Sequence, residues 1–256
     1  MNPPSDFYVV AKEPGAEHPA LPTWANENSN PAQLDPERQT IAKRVEIANV
    51  PEAYQLLDVL SREECDRLIK ITEALGYLPD AAVSLPRSVR HNYNATWVVD
   101  EQTDGILWGR CKDYATDNKG YFGGKKPLGL NARFRFYRYE SGDYFAPHRD
   151  GGWPGSRVID RQLVPDAYQD RFSLMTVLFF LSDAFEGGET QFWVNKNDPS
   201  LPARSQDEAE LVDVKTPAGG ALCFPHGAHP LHCLHSSEKI LSGVKYIIRT
   251  DMLFES

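Results

Sequence analysis

The sequence has little cysteine, and the residues it has are not arranged in pairs. Cys65, Cys111, Cys223 and Cys233 form no Cys-x-x-Cys motif, and their spacing matches no zinc-binding pattern. A disulfide framework and a cysteine-based zinc site are therefore not expected. We interpret the four residues as reduced, mostly buried thiols in a reducing compartment.

Long apolar runs and an excess of positive charge are also missing. No stretch approaches the roughly 18 apolar residues of a membrane-spanning helix, and the N-terminal residues lack the basic and apolar segments of a secretory signal. The formal net charge is −9, which disfavours nonspecific binding to nucleic acid or to anionic membranes. We expect a soluble, cytoplasmic protein without a membrane or nucleic-acid partner.

Regular patterning begins only after about residue 45. Residues 1–45 are rich in proline, asparagine and acidic residues and show no periodicity, which predicts an extended or partly disordered N-terminal arm. The remainder, residues 46–256, is expected to form a single domain.

Two helices are predicted in the first half of that domain. Ser61 followed by Glu64 is a capping box, and apolar residues at helical spacing continue to a stop at Gly76. A second helix is predicted at about 103–117. We therefore expect residues 46–120 to form a helical support.

From about residue 131 the hydrophobic pattern has a period of two. The run NARFRFYRYESGDYF alternates phenylalanine with arginine and tyrosine, as a strand does. Further strands are predicted at 172–183, 190–194, 210–216, 220–224 and 243–254. Helices followed by many short strands indicate an α+β protein whose core is a β-sandwich or barrel.

A candidate metal site lies at the end of the first of these strands. His148 and Asp150 are two residues apart, so their side chains share one face of an extended chain. Two imidazoles and one carboxylate leave open positions on iron(II) for a chelating co-substrate and O₂. Spacing alone does not choose the third ligand, because four histidines lie downstream: His226, His229, His232 and His235.

A cation interrupts the last apolar strand. In GVKYIIRT, Lys245 and Arg249 share one face with Ile247. A cation on so apolar a strand is costly unless it faces a carboxylate or an open pocket. The alternative is that Lys245 lies on a solvated face.

Four stretches carry a resemblance to a known family: YRYESGDYFAPHRDG, TVLFFLSDAFEGGETQFW, PAGGALCFPHG and HSSEKILSGVKYIIRTDMLF. In order and spacing they resemble the prolyl-4-hydroxylase-like branch of the iron(II)- and 2-oxoglutarate-dependent dioxygenases. The resemblance covers residues 125–254 and implies a double-stranded β-helix (jelly-roll) core behind the N-terminal supporting helices. The interval between the family's distal histidine and its oxoglutarate-binding cation fits His235 and Lys245, with His232 as the reserve ligand.

The resemblance also implies the roles of individual residues. His148, Asp150 and His235 would be the metal ligands and catalytic residues. Lys245 would pair with the far carboxylate of 2-oxoglutarate. Tyr139 would hydrogen-bond the same tail, with Thr176 lining the pocket. Two arginines are candidate substrate contacts. Arg135 shares a strand face with Tyr139, and Arg249 shares one with Lys245.

The implied reaction is hydroxylation of a C–H bond in a peptide, protein or small molecule, with release of succinate and CO₂. The implied cofactors are iron(II), 2-oxoglutarate and O₂, with ascorbate as a candidate reductant. One alternative is a nucleic-acid dealkylase of the same superfamily, which the net charge of −9 disfavours. Another is a non-catalytic jelly-roll binding module, which the complete ligand set disfavours.

The segment after the metal motif is a candidate lid. Residues 151–171 are polar and contain Gly151, Gly152 and Gly155, which allow the backbone to move. We predict that this segment orders when co-substrate and substrate bind.

Overall fold

The computed structural model describes residues 4–38, 42–82, 85–115, 120 and 122–256. The helices within them are α1 (Arg62–Leu75) and α2 (Glu101–Cys111), and a 3-10 turn, Lys112–Tyr114, follows α2. The strands of the first half are β1 (Phe7–Glu13), β2 (Leu21–Asn26), β3 (Lys43–Glu46), β4 (Tyr54–Leu57), β5 (Arg90–His91) and β6 (Tyr93–Val98). The next strands are β7 (Pro127–Leu130), β8 (Arg133–Tyr139), β9 (Tyr144–His148), β10 (Arg157–Ile159), β11 (Gln162–Val164), β12 (Arg171–Phe180) and β13 (Phe185–Gly187). The last are β14 (Thr190–Asn195), β15 (Ala209–Val214), β16 (Ala221–Pro225), β17 (Leu234–Ser237), β18 (Ile240–Gly243) and β19 (Lys245–Glu255).

Two larger sheets and two two-stranded sheets, β10-β11 and β13-β18, organise these strands. The ten-stranded sheet has the order β1-β2-β6-β8-β19-β12-β16-β4-β3, and β7 pairs with β19 outside this path. The five-stranded sheet has the order β15-β14-β17-β9-β5. Both sheets are consistent with the jelly-roll core that the sequence resemblance implied, and every strand predicted after residue 131 is present.

The alternation along β8 separates the two faces of the large sheet. Phe134 and Phe136 lie in one hydrophobic core, together with Leu68 of α1 and Leu107 of α2. The alternate residues of β8 point to the opposite face, which carries a second core that also receives Phe192 of the small sheet. The helices thus cover one face, and the space between the sheets is left for the functional site.

Helix α1 begins as predicted. The Ser61 hydroxyl accepts a hydrogen bond from the Glu64 backbone amide, and the Glu64 carboxylate accepts one from the Ser61 amide. Glu64 also forms a buried ion pair with Arg110 of α2, 2.8 Å between nitrogen and oxygen. This pair fixes the two helices against each other.

The prediction of an N-terminal helical support is wrong. Between residues 46 and 120 the two helices are separated by β5 and β6, and both β4 and β6 belong to the large sheet. Strand β6 is buried at all but its first position, so it shows no alternation that a sequence pattern could reveal.

The segment predicted as an extended arm contains β1, β2 and most of β3, which all belong to the large sheet. Strand β1 pairs with β2, and β2 pairs in parallel with β6 through residues Thr23 to Ala25. Pairing between segments so far apart in the chain leaves no pattern within either segment that a sequence analysis could detect. The division of the chain into an arm at 1–45 and a catalytic domain at 46–256 remains a prediction.

All four cysteines are free and buried, as predicted. None of the helices in the described part of the chain has the length and apolar character needed to span a membrane.

Candidate metal centre

Two neighbouring strands of the small sheet bring the predicted ligands together. His148 ends β9, and His235 lies directly opposite it on β17. Asp150 follows β9 by two residues. Its carboxylate oxygens lie 3.7 Å from Nε2 of His148 and 3.6 Å from Nε2 of His235. One ligand atom from each of the three residues falls within 4.8 Å of the others, so the three could hold one metal ion.

Backbone contacts select the tautomer of both histidines. Nδ1 of His148 lies 2.9 Å from the carbonyl oxygen of Ala146, and Nδ1 of His235 lies 3.3 Å from that of Cys233. Because a carbonyl oxygen only accepts, each Nδ1 carries the proton, and each Nε2 keeps a lone pair. Burial lowers the pKa of His148 to about 3 and lowers the pKa of His235. Both rings are therefore neutral, as metal ligands must be.

Asp150 supplies the negative charge of the site. Burial by itself would raise its pKa, but the positive charge of Arg249 outweighs this effect and lowers it. Nε of Arg249 lies 3.4 Å from Oδ2 of Asp150, and the Thr176 hydroxyl lies 2.7 Å from the same oxygen. The ligand set of two neutral imidazoles and an ionised carboxylate suits a divalent iron with open positions.

His226 and His232 of the same loop do not join the group of candidate ligands among the described residues. His232 is half-buried, and its Nδ1 lies 2.5 Å from the carbonyl oxygen of Gly227. His226 is fully buried and contacts Thr176 and Ser173. In the described ranges, neither is part of a group that could hold a metal. The structure therefore brings His235, not the reserve residue His232, to the site.

The three candidate metal ligands line a cavity between the two sheets. The small sheet contributes Phe145, His148 and His235, and the large sheet contributes Tyr139, Leu178 and Lys245. Phe145 stacks on the His148 ring with 3.5 Å between ring centroids. This contact restricts the orientation of the imidazole.

Lys245 is buried in this cavity at 1% exposure. Its ammonium group donates to the backbone oxygen of Gly188 at 2.6 Å and to the hydroxyl of Ser237 at 2.9 Å. Burial lowers the pKa of Lys245 to about 7, which the charge of Glu189 only partly opposes. The described residues form no salt bridge to this amine, so it is suited to receive the carboxylate of a ligand.

The other predicted site residues take different positions. Tyr139 is buried in the cavity, opposite Lys245 in the strand register and 5.2 Å from ring centroid to Nζ. Arg249 lines the cavity but already contacts Asp150 and Asp251. Arg135 lies outside this cavity. Thr176 does not line it either; its hydroxyl is engaged by Asp150 and His226.

Sequence reasoning missed a chain of hydrogen bonds that ends at Asp150. Because the Thr176 hydroxyl donates to Asp150, it accepts from Nδ1 of His226, at 2.8 Å. Nε2 of His226 then accepts from the Ser173 hydroxyl at 2.8 Å, which in turn accepts from the backbone amide of Trp153 at 2.8 Å. A bulge in the pairing of β12 between Ser173 and Met175 hid this arrangement, because it breaks the alternation on which a face assignment depends.

No protein-family model matches the chain, and no curated protein matches it either. Solved structures do. A prolyl hydroxylase from Trichoplax adhaerens, in complex with a peptide fragment of the hypoxia inducible factor oxygen degradation domain, has a TM-score of 0.52 at 15% identity. The match covers 81% of this chain and 85% of that chain.

Two further structures have a TM-score of 0.49. The viral collagen prolyl hydroxylase of Paramecium bursaria Chlorella virus-1, in its 2OG complex, is 17% identical and covers 82% of this chain and 100% of that chain. A Pseudomonas putida prolyl-4-hydroxylase is 16% identical and covers 78% and 91%. The likeness to the Trichoplax structure shows that this chain has the fold of a prolyl hydroxylase, as the sequence resemblance implied.

Proposed function

We propose that this protein is an iron(II)- and 2-oxoglutarate-dependent dioxygenase that hydroxylates a C–H bond of a peptide, protein or small-molecule substrate. One observation carries the proposal. Two neutral imidazoles and an ionised carboxylate converge in the same cavity that buries Lys245, which has no carboxylate partner among the described residues. A divalent metal and an anionic chelator satisfy both features together.

His148, Asp150 and His235 would hold iron(II), leaving positions for the chelator and O₂. With iron and 2-oxoglutarate bound, the chemistry supplied is hydroxylation by O₂, with oxidative decarboxylation of 2-oxoglutarate to succinate and CO₂. The protein orients the reactants and keeps water away.

Lys245 would pair with the far carboxylate of 2-oxoglutarate. A charge-assisted hydrogen bond in a buried site is of the strong kind, and Tyr139 is adjacent to Lys245. Arg249 is less suited to this role, because its guanidinium is held between Asp150 and Asp251. We assign Arg249 and Thr176 to holding the carboxylate of Asp150 in place.

The first substrate class to test is a peptide or protein, since the Trichoplax structure contains a peptide fragment. Small molecules come second. Ascorbate enters as the proposed reductant. The buried free thiols agree with a reducing compartment such as the cytoplasm.

The deciding experiment measures succinate formed from 2-oxoglutarate by protein reconstituted with iron(II), with and without ascorbate. Peptides, free amino acids and alkylated oligonucleotides are added in separate arms, and the oligonucleotide arm tests the dealkylase alternative. Asp150→Ala and Lys245→Met are expected to lose activity. Arg62→Gln, which changes only an exposed ion pair with Asp183, serves as the control. A wild-type protein that forms no iron-dependent succinate would favour the non-catalytic module instead.

A further inference from the structure

A second cavity lies next to the one that is lined by the candidate metal ligands. It has a volume of about 120 Å³ and is lined by residues that include Arg133, Arg135, Trp153, Pro154 and Pro165. These residues come from β8 and from the segment that follows Asp150. The described structure gives this cavity no role in binding iron or 2-oxoglutarate.

The two cavities adjoin at a pair of arginines. Arg249, which lines the metal cavity, is the cross-strand partner of Arg135, which lines the second one. Trp153 follows the metal ligand Asp150 by three residues and belongs to the second cavity. The second cavity therefore lies beside the candidate metal centre.

Two buried hydrogen-bond donors in the second cavity have no acceptor among the described residues. Arg135 is 7% exposed, and its Nη1 is 3.6 Å from Oδ2 of Asp251, too far for a hydrogen bond. The indole nitrogen of Trp153 is also buried and without a partner. The Arg135 guanidinium lies 5.2 Å from the Trp153 ring centroid, so the two donors are neighbours. Buried donors left unpaired are costly, which favours a ligand that brings acceptor atoms.

Arg135 shares its nearest carboxylate, that of Asp251, with Arg249. Glu13 also lines the cavity, but Arg133 donates to its carboxylate at 2.6 Å and Thr23 donates to it as well. Asp251 accepts a hydrogen bond from Arg249 at 3.1 Å and contacts Arg135 only at the longer distance. Burial and the nearby charge of Arg249 lower the pKa of Arg135 to about 10. An added negative charge at this point would relieve the repulsion between the two arginines.

We propose that the second cavity binds a carboxylate of the substrate through the Arg135 guanidinium and the Trp153 indole N–H. The inference rests on the proposed function, because it identifies the ligand as the molecule that is hydroxylated. A planar carboxylate has two acceptor atoms that match the edge of a guanidinium. The more highly charged phosphate dianion would be repelled more strongly by Glu13 and Asp251. The two prolines suit a short aliphatic stem, as in a glutamate side chain.

The test compares probes that differ only in the carboxylate. N-acetylglutamate is paired with N-acetylglutamine, and short peptides with an internal glutamate are paired with their glutamine counterparts. Binding is followed by tryptophan fluorescence in protein loaded with zinc(II) and 2-oxoglutarate, and KM is followed by succinate formation. The two probe sets distinguish a free amino acid from a peptide as the source of the carboxylate.

Wild-type protein is expected to bind the carboxylate probe about tenfold or more tightly than the carboxamide, since a hydrogen bond to a charged group is lost with the amide. Arg135→Gln should abolish this preference. Trp153→Phe keeps an aromatic ring but loses the N–H, so it should raise the KM for the carboxylate probe, while most of the fluorescence change disappears with the indole. Arg62→Gln should behave as wild type.

Equal binding of carboxylate and carboxamide by wild type, or absence of binding by all probes, would overturn the inference. So would a carboxylate preference that survives both Arg135→Gln and Trp153→Phe. In each case iron-dependent succinate formation can persist, which leaves the proposed function standing. Conversely, an Arg135-dependent carboxylate preference without any succinate would retain the binding site and refute the dioxygenase.

Discussion

The hydroxyl of Thr176 donates a 2.7 Å hydrogen bond to Oδ2 of Asp150. This contact joins the large sheet to the segment that follows β9, and through His226 it fixes the direction of a buried hydrogen-bond chain. A residue that the sequence suggested for 2-oxoglutarate thus contacts the proposed metal ligand Asp150.

Replacing Thr176 by valine removes the hydroxyl and keeps the shape of the side chain. Loss of such an outer partner of a metal ligand typically weakens metal binding about 10- to 100-fold. Thr176→Val should raise the iron(II) dissociation constant by this factor, measured by anaerobic titration, while Thr176→Ser should stay near wild type. Unchanged iron affinity in Thr176→Val would mean that the hydrogen bond does not support the site.

The choice of distal ligand can be tested with two alanine variants. His235→Ala should lose bound iron, because its Nε2 points at Asp150, whereas His232→Ala should keep it, because its Nδ1 is engaged by Gly227. Iron content after reconstitution, determined by elemental analysis, is the measurement. The opposite pattern would show that His232 is the ligand.

Removing the buried amine should weaken co-substrate binding strongly. A buried charge pair that loses one partner typically costs about 2–5 kcal/mol, which corresponds to very roughly 30- to 5000-fold in affinity. Lys245→Met should show this loss in calorimetric titration of the manganese(II)-loaded protein with 2-oxoglutarate. If Lys245→Met binds 2-oxoglutarate as tightly as wild type, the assignment of Lys245 is wrong. If, in addition, an Arg249→Met variant loses affinity for 2-oxoglutarate, Arg249 is the anchor instead.

Co-substrate affinity should also depend on pH. The pKa of Lys245 is lowered to about 7 before the anion binds, and a bound carboxylate favours the charged amine and raises it. Above pH 7, binding must therefore take up a proton, so affinity falls by up to about tenfold per pH unit. Below pH 7 the amine is already charged, and this dependence disappears. Titrations from pH 6 to 9 in wild type and Lys245→Met test this, and a wild-type curve as flat as that of the variant would contradict it.

The segment at 151–171 is expected to become more ordered when ligands bind. It contains the hairpin of β10 and β11, whose turn residues Asp160 and Arg161 have positive φ values of 50° and 60°. Arg157 holds the hairpin to Asp104 of α2. Hydrogen exchange should slow at the turn when a redox-inert metal, 2-oxoglutarate and a true substrate are added together. Identical exchange in both states would identify a static loop.

The sequence by itself determined the elements whose signals are local. Alternation marked β8, and apolar stretches punctuated by glycine and proline marked β12 and β19. The pair Ser61 and Glu64 marked the start of α1, and the spacing of His148 and Asp150 placed two candidate ligands on one side of a strand. A pattern of this kind depends only on neighbours in the chain. The parts of the N-terminal half that became strands carried no such pattern, and they were missed.

Only the tertiary structure decided which distant residues meet. His235 faces His148 because β17 pairs with β9, and Ser173 joins Thr176 at His226 because a bulge in β12 shifts the register between them. The second cavity likewise forms where Arg135 of β8 meets Trp153 from a later segment. Spacing along the chain cannot specify these contacts, because strand pairing and register are set by the burial of whole faces against partners far away in the sequence.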